Sequence, residues 1–506
     1  MNTDIKRCLL ITLTLLIVLG SFVSCGNAGD ESGETTTLAA SDAAETEPET
    51  GDPNYADNLP ALDFGNESVS VFASRRPGAE DELYSEGINH ELINDAVYER
   101  NRIVEDRLGV KLDIQVDGNG DSHYSVANTI HNLVMTGTDD YQICTGPAYV
   151  TVLFCVKGDY LDLPSFEYLN LEKHYWSQGF NEMASWGGGY QFTASGSIAL
   201  SLFRNMYITL YNKDLLKEWQ AADPYESVLN GTWTLEYQTQ LTSGMYRDLN
   251  GNGVSDPADA FGFISGAYGS SDCYWIACDA AVVKKDGEGY FVYDADVDRL
   301  FETVEDVMAL YYRADSYIIP FTEDDPTLAN NAIGPFSENR AFMITTMVIR
   351  LENSLRDFKG EYAILPIPKL DAAQDGYRTC VQDQVTDFSV PVTCPSSKQN
   401  MVGAVLECLA AESYRTVADA YYNTALSYRY LNNPESKVML DLIYDSVSFE
   451  IAQIYTDCIG SFLNDMRAIV SSKNNTTVSK FKQIRRSMEK AVKDVNKSYE
   501  KITEKQ

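Results

Sequence analysis

The period of the apolar positions changes in a regular way along this chain. Ser68 to Ala73 (SVSVFA) alternates apolar and polar as a half-buried strand does, and SRRPG follows it, so Arg75 and Arg76 fall on the loop beyond the strand's carboxyl end. From Ile88 to Leu108 the residues Ile88, Leu92, Ala96, Val97, Ile103, Val104 and Leu108 share one helical stripe, closed by Gly109. Val110 to Val116 predicts a second strand, Tyr124 to Met135 a second helix, Tyr141 to Cys144 a short third strand and Ala148 to Val156 a third helix. Strands and helices alternating at this spacing predict an α/β fold with a mostly parallel sheet, and such sheets bind ligands outside the carboxyl ends of their strands. Further on, Met206 to Tyr211 reads as an apolar strand, Thr234 to Tyr246 as a helix and Phe261 to Ile264 as another strand. After Lys473 the chain turns basic, and Val478, Phe481, Ile484, Met488, Val492, Val495 and Tyr499 give a last helical stripe, expected to pack along the second half of the fold.

The two ends of this pattern are different in kind. Lys6-Arg7 is followed by CLLITLTLLIVLGSFVS, an apolar run of signal-segment length, and then by Cys25-Gly26. Phe22-Val23-Ser24-Cys25 resembles a bacterial lipoprotein box, which implies that residues 1–25 are a leader and that Cys25 becomes a lipidated (palmitate-bearing) N-terminus at the outer face of the cell membrane; a retained single-span anchor is the alternative. Residues 26–61 are acidic and poor in large apolar side chains, too poor to offset the entropy of ordering them, and read as a flexible tether. No other segment is long and apolar enough to span a bilayer.

A chain of 506 residues exceeds one ordinary core and has the mass for two bodies. A formal charge of −35 argues against a nucleic-acid partner, because a polyanion is repelled at long range. Tyrosine is abundant, 32 against 20 Phe and 5 Trp, which supplies rings that bury one face and keep a hydroxyl wet. His90, His123, His131 and His174 form no metal-binding spacing, and no nucleophile elbow or phosphate loop occurs. An extracellular glycan-active enzyme with two carboxylates across a scissile bond stays open as the rival reading. Eight cysteines follow Cys25; Cys144 with Cys155, Cys273 with Cys278 and Cys380 with Cys394 lie close in sequence, but no disulfide is assigned.

DLNGNGVSDPAD, Asp248 to Asp259, places oxygen-bearing side chains at alternate positions of a twelve-residue loop. Asp248, Asn250, Asn252 and Asp259 would serve as side-chain ligands, Val254 through its carbonyl and Asp256 through water, for a structural Ca2+. Pro257 inside the loop and the strand behind it argue against a calcium sensor, which needs an exiting helix. An Asn-Gly turn that holds no metal is the plainer alternative.

The ordered series INDAVYERNRIVEDRLGVKLD, DDYQICTGPA, YITLYNKDLLKEW, GTWTLEYQTQLT, SENRAFMI, EYAILPIPKLDAAQDGY, SVPVTCPSSKQ and VLECLAAESYRTVADAYYNTALSYRYLNNPESKVMLDLI resembles the family 1 extracellular solute-binding proteins of ABC importers, over residues 66 to 470. The resemblance implies a periplasmic-binding-protein-like architecture: lobe 1 from 62–205 plus 392–445 and lobe 2 from 206–391 plus 446–506, closing on a small solute at their hinge. It implies a monomer that captures a carbohydrate and passes it to ABC transporter permease subunits, with a peptide or other non-sugar solute as the alternative. Ligand contacts expected from lobe 1 are Arg75, Arg76, Thr145, Gly146 and Tyr149, with Trp186, Tyr190 and the hinge residue Asn205. From lobe 2 they are Tyr274, Trp275, Thr345, Thr346 and Arg350. Arg75 and Arg76 can equally clamp an anion or be a solvated loop. Trp176, Trp219 and Trp233 fall in the structural class.

Overall fold

The computed structural model describes residues 56–505 apart from 77, 80, 120, 121, 268, 321–331, 357 and 431–433. The leader, the acidic tether up to Tyr55 and the lipidation candidate Cys25 lie outside the described residues. Fourteen strands follow in chain order among those described: β1 (Glu67–Ala73), β2 (Val110–Val116), β3 (Ile143–Pro147), β4 (Tyr207–Asn212), β5 (Tyr246–Arg247), β6 (Ala260–Gly266), β7 (Val283–Lys285), β8 (Phe291–Tyr293), β9 (Ser316–Ile319), β10 (Ala341–Met347), β11 (Tyr362–Leu365), β12 (Thr379–Cys380), β13 (Thr386–Ser389) and β14 (Val447–Ser448).

They build two main sheets. The first has the order β13-β3-β1-β2, parallel except for β13 at its edge. In β1 the alternation of SVSVFA is visible directly: Val69, Val71 and Ala73 are buried, and Val69 pairs with Leu112 and Val71 with Ile114 of β2. The helix Leu92–Leu108 presents Val97, Val104 and Leu108 to this core and ends at Gly109, whose φ of 59° is the left-handed conformation that glycine adopts without a Cβ penalty. The second sheet has the order β11-β4-β10-β6-β5, with β9 beside β6. Here β6 and β10 are parallel and β4 runs antiparallel to both β10 and β11. All six residues of β4 are buried, which is why YITLYN reads as an apolar run rather than an alternation.

The chain passes from the first sheet to the second at Asn205-Met206 and comes back through Val381 to Val385. The two passages run side by side: Met206 bridges Val381, and Gln382 N donates to the carbonyl of Asn205 at 3.0 Å. Because β13 pairs antiparallel with β3, residues 386–389 are part of the first sheet, inside a stretch that the resemblance assigns to the second lobe. The last helix, Thr477–Thr503, also differs from expectation. Its early turns pack near the helix Val297–Tyr311 of the second sheet's side, but its stripe continues to Tyr499, which stacks on Phe192 at 5.3 Å between ring centroids, and to Ile502 beside Gly158. The apolar stripe outruns one half of the fold, so the helix spans both. No helix among the described residues is long and apolar enough to cross a membrane, and the eight described cysteines are all unbridged.

Candidate functional site

A cavity of about 340 Å³ opens where the returning passage meets the carboxyl ends of β3, β6 and β10. That is the position at which open α/β sheets gather ligand-binding loops. Tyr149, on the helix directly after β3, comes from the first sheet; Tyr207 of β4, Gly269 and Ser270 beyond β6, and Thr345, Thr346 and Arg350 at the end of β10 come from the second. Gln382, Asp383 and Gln384 of the passage form another wall, and Thr456, Asp457, Asn464 and Arg467 close it from the C-terminal helices.

Of the residues nominated from sequence, Tyr149, Thr345, Thr346 and Arg350 therefore line one cavity. Tyr274 stands behind them, its hydroxyl 2.8 Å from Thr345 Oγ1. Asn205 is buried with its carbonyl on Gln382 N. Thr145 is buried and accepts from Ser74 N at 3.0 Å, and Gly146 pairs with Asp387 in the sheet, where an added Cβ would lie 2.7 Å from Thr151 Oγ1. The two arginines part company. Arg75 is exposed, while Arg76 is buried and donates from Nη2 (2.9 Å) and Nε (3.2 Å) to the carbonyl of Gln384 and from Nη2 to Thr386 Oγ1. Arg76 thus fixes a wall of the cavity from behind. Trp186 is buried away from the cavity lining, bridged to the exposed Tyr190, and Trp275 is buried within the helix Asp272–Ala277. Trp176 and Trp233 are buried with their indole N–H groups on Glu407 and the carbonyl of Pro366.

Sequence reasoning missed Tyr207, the Gln382–Gln384 wall and the contributions of Thr456, Asp457, Asn464 and Arg467. One local signal was available for the last pair. In FLNDMRAIVS the residues Phe462, Leu463, Met466, Ile469 and Val470 are buried, which leaves Asn464 and Arg467, three apart, together on the polar side.

The site is polar with two rings. Tyr149 donates toward or accepts from His123 Nδ1 at 2.8 Å, and burial together with the Arg76 charge lowers the His123 pKa, so its imidazole is neutral at pH 7. Arg467 holds the buried Asp272 carboxylate, with Nε 3.0 and 3.1 Å from its two oxygens. Asp383 has its carboxyl pushed up to about 7 by burial and by the neighbouring Asp272, against the opposing charge of Arg467. Hydroxyls, amides, carboxylates and guanidinium groups around two tyrosine rings suit a small, polyhydroxylated solute better than an apolar one.

The oxygen-rich loop lies on the second sheet's side, between β5 and β6. It winds around Asp248, whose carboxylate accepts from Gly251 N at 2.6 Å and Gly253 N at 2.8 Å. The Asp256 carboxylate receives the amides of Asn250 (3.0 Å) and Asn252 (2.7 Å), and Val254 is exposed. Asp259 is fully buried and accepts from Leu249 N (3.1 Å) and the Tyr246 hydroxyl (3.0 Å), tying both loop ends to the sheet. The donor set is all oxygen, which fits a hard divalent cation. A second acidic cluster, Asp57, Cys408 and Glu412, is neutralised by Arg107 and Arg415.

No protein-family model and no curated protein matches this chain. Solved structures do. The cyclic alpha-maltosyl-1,6-maltose binding protein from Arthrobacter globiformis aligns with a TM-score of 0.55 at 12% identity, over 86% of this chain and all of its own. A family 1 extracellular solute-binding protein from Bifidobacterium longum subsp. infantis aligns at 0.50 and 13%, over 86% and 100%. A cyclo/maltodextrin-binding protein complexed with maltotetraose aligns at 0.51 and 12%, over 87% and 97%. At these identities the likeness is one of backbone, and it fixes the architecture: the chain has the two-sheet α/β fold of the extracellular solute-binding proteins.

Proposed function

We propose that this protein is an extracellular solute-binding lipoprotein that captures a mono- or oligosaccharide in the cavity between its two sheets and delivers it to the permease subunits of an ABC importer, anchored to the membrane through Cys25. One observation carries the reading: both sheets and the passage joining them contribute tyrosines and hydrogen-bonding side chains to the same cavity. A solute held there gains contacts from both halves at once, which is what drives closure in a two-body binder. The three neighbours described above, two of them named for the maltosaccharides they bind, support the choice of sugar. Capture rather than turnover is the activity proposed.

The test is a panel of mono- and oligosaccharides beside short peptides, read by thermal shift and calorimetry on the full chain, with membrane fractionation of the expressing cell. A bound saccharide at about a hundredfold excess over its Kd stabilises the folded state by about 2.7 kcal/mol, a shift of several degrees. Saturable binding of peptides with none of sugars, or release of a cleaved glycan at catalytic rates, would sink the reading.

We also propose that the Asp248–Asp259 loop takes up a structural Ca2+, through the side chains of Asp248, Asn250, Asn252 and Asp259, the carbonyl of Val254, and Asp256 by way of water. Its oxygen donors and its position between two strands support a bracing role. Chelation is expected to lower the melting midpoint, calcium to restore it, and Asp248→Ala to abolish the difference. Identical melting with chelator and with calcium would refute the site.

A further inference from the structure

One guanidinium of the cavity has no counter-ion among the described residues. Arg350 sits on the short helix Ile349–Asn353 that follows β10 and is half-buried, yet no hydrogen bond or ion pair joins its side chain to a described residue. Every other arginine of the described residues that is not exposed is engaged; Arg204 meets Asp81 and Glu352, and Arg467 meets Asp272. Desolvating a guanidinium without a partner is costly, and a planar fork left open inside a ligand cavity is complementary to a carboxylate brought by the ligand. The same cavity carries the carboxylates of Asp383 and Asp457. Those would repel a phosphate or any multiply charged anion, but they accept hydrogen bonds from sugar hydroxyls readily.

We propose that the solute is an acidic saccharide, a sugar bearing a uronic-acid carboxylate, whose carboxylate docks on Arg350 while its hydroxyls donate to Asp383 and Asp457. This rests on the saccharide reading above and narrows it. A neutral sugar would leave Arg350 unpaired, and an amino sugar would meet it with like charge. Arg350 is then the residue that sets specificity.

The experiment is calorimetry on the full chain with digalacturonate beside galactobiose and with cellobiouronate beside cellobiose, at one pH and ionic strength. The wild-type protein is expected to prefer the uronate of at least one pair by about tenfold or more, the scale of a charged hydrogen-bonded pair. Arg350→Gln should bring that ratio to within about threefold of unity. Arg350→Lys, which keeps the charge but not the fork, should retain part of the preference and serves as the second variant if the first melts early. Equal or tighter binding of the neutral sugars, preference for a glucosamine disaccharide, or a tenfold preference that survives Arg350→Gln overturns this inference and leaves the saccharide reading standing. Binding of none of these sugars, nor of any other saccharide in the wider panel, removes that reading and the inference with it.

Discussion

Arg76→Met is expected to lower the free energy of unfolding by about 3–5 kcal/mol, the range for leaving a buried charge without its compensating partner. Arg76 and Glu82 are each only 2% exposed. Glu82 accepts from Ser201 N at 3.2 Å and from the Thr386 hydroxyl, and Arg76 donates to that same hydroxyl and to the carbonyl of Gln384. Burial raises the Glu82 pKa, and the Arg76 charge is the largest influence holding it down. Methionine fills much of the volume but removes the largest influence that holds the Glu82 pKa down, so its folded-state pKa climbs further. A carboxyl whose folded pKa is raised contributes stability that is present below its unfolded pKa and is lost as pH rises through the folded value. The variant should therefore lose more at pH 8 than at pH 5. Arg100, which donates to the backbone carbonyl of Glu82 at 3.0 Å, remains nearby and keeps the loss toward the lower figure. Urea melts at the two pH values check this. A loss under about 1 kcal/mol at both, the scale of an exposed ion pair, would place Arg76 on the surface instead.

That substitution also marks where sequence reading stops. Two adjacent arginines on a loop after a strand carry no period, so nothing local tells the buried Arg76 from the exposed Arg75; the difference is made by Gln384 and Thr386, some three hundred residues away in the chain. Strand ends were legible for the opposite reason. Periodicity located β1, β2, β4 and β6 to within a residue or two, except that β6 runs on to Gly266, and the rule for carboxyl ends of strands then pointed to Tyr149, while Thr345, Thr346 and Arg350 came from the family resemblance. The Gln382–Gln384 wall and the face of Asn464 and Arg467 were not legible, because they enter the cavity only through the return passage and the packing of the C-terminal helices. Aromatic residues were the least decidable, since the same indole can be a platform or a core filler, and only its neighbours say which.

Trp186 is the sharpest case, and Trp186→Ala is expected to cost about 3–5 kcal/mol of stability while leaving solute affinity of the folded protein nearly unchanged. The indole is 3% exposed and meets Tyr290 edge-on at 4.9 Å and Tyr499 at 5.4 Å. Its Nε1 donates to Asn496 Oδ1 at 2.8 Å, and Asn496 also takes Phe291 N at 3.2 Å and gives Nδ2 to the Phe291 carbonyl at 2.8 Å. One amide thus joins the Trp186 loop, the strand β8 and the last helix. Alanine would empty the space between two tyrosine rings and loosen the end of the helix where Tyr499 stacks on Phe192. Trp186→Phe separates the parts: it keeps most of the ring volume and loses the donor, while Asn496 keeps its two bonds to Phe291, so its cost should be near 1 kcal/mol. A double-mutant cycle with Asn496→Ala should return a coupling of about 0.5–3 kcal/mol, as residues in one hydrogen-bonded contact do. Melting curves and calorimetry on the same variants decide between the two roles of the indole. A Trp186→Ala protein that melts like the parent but no longer binds its solute would make Trp186 a ligand platform, and its role in tying the last helix to β8 would have to be given up.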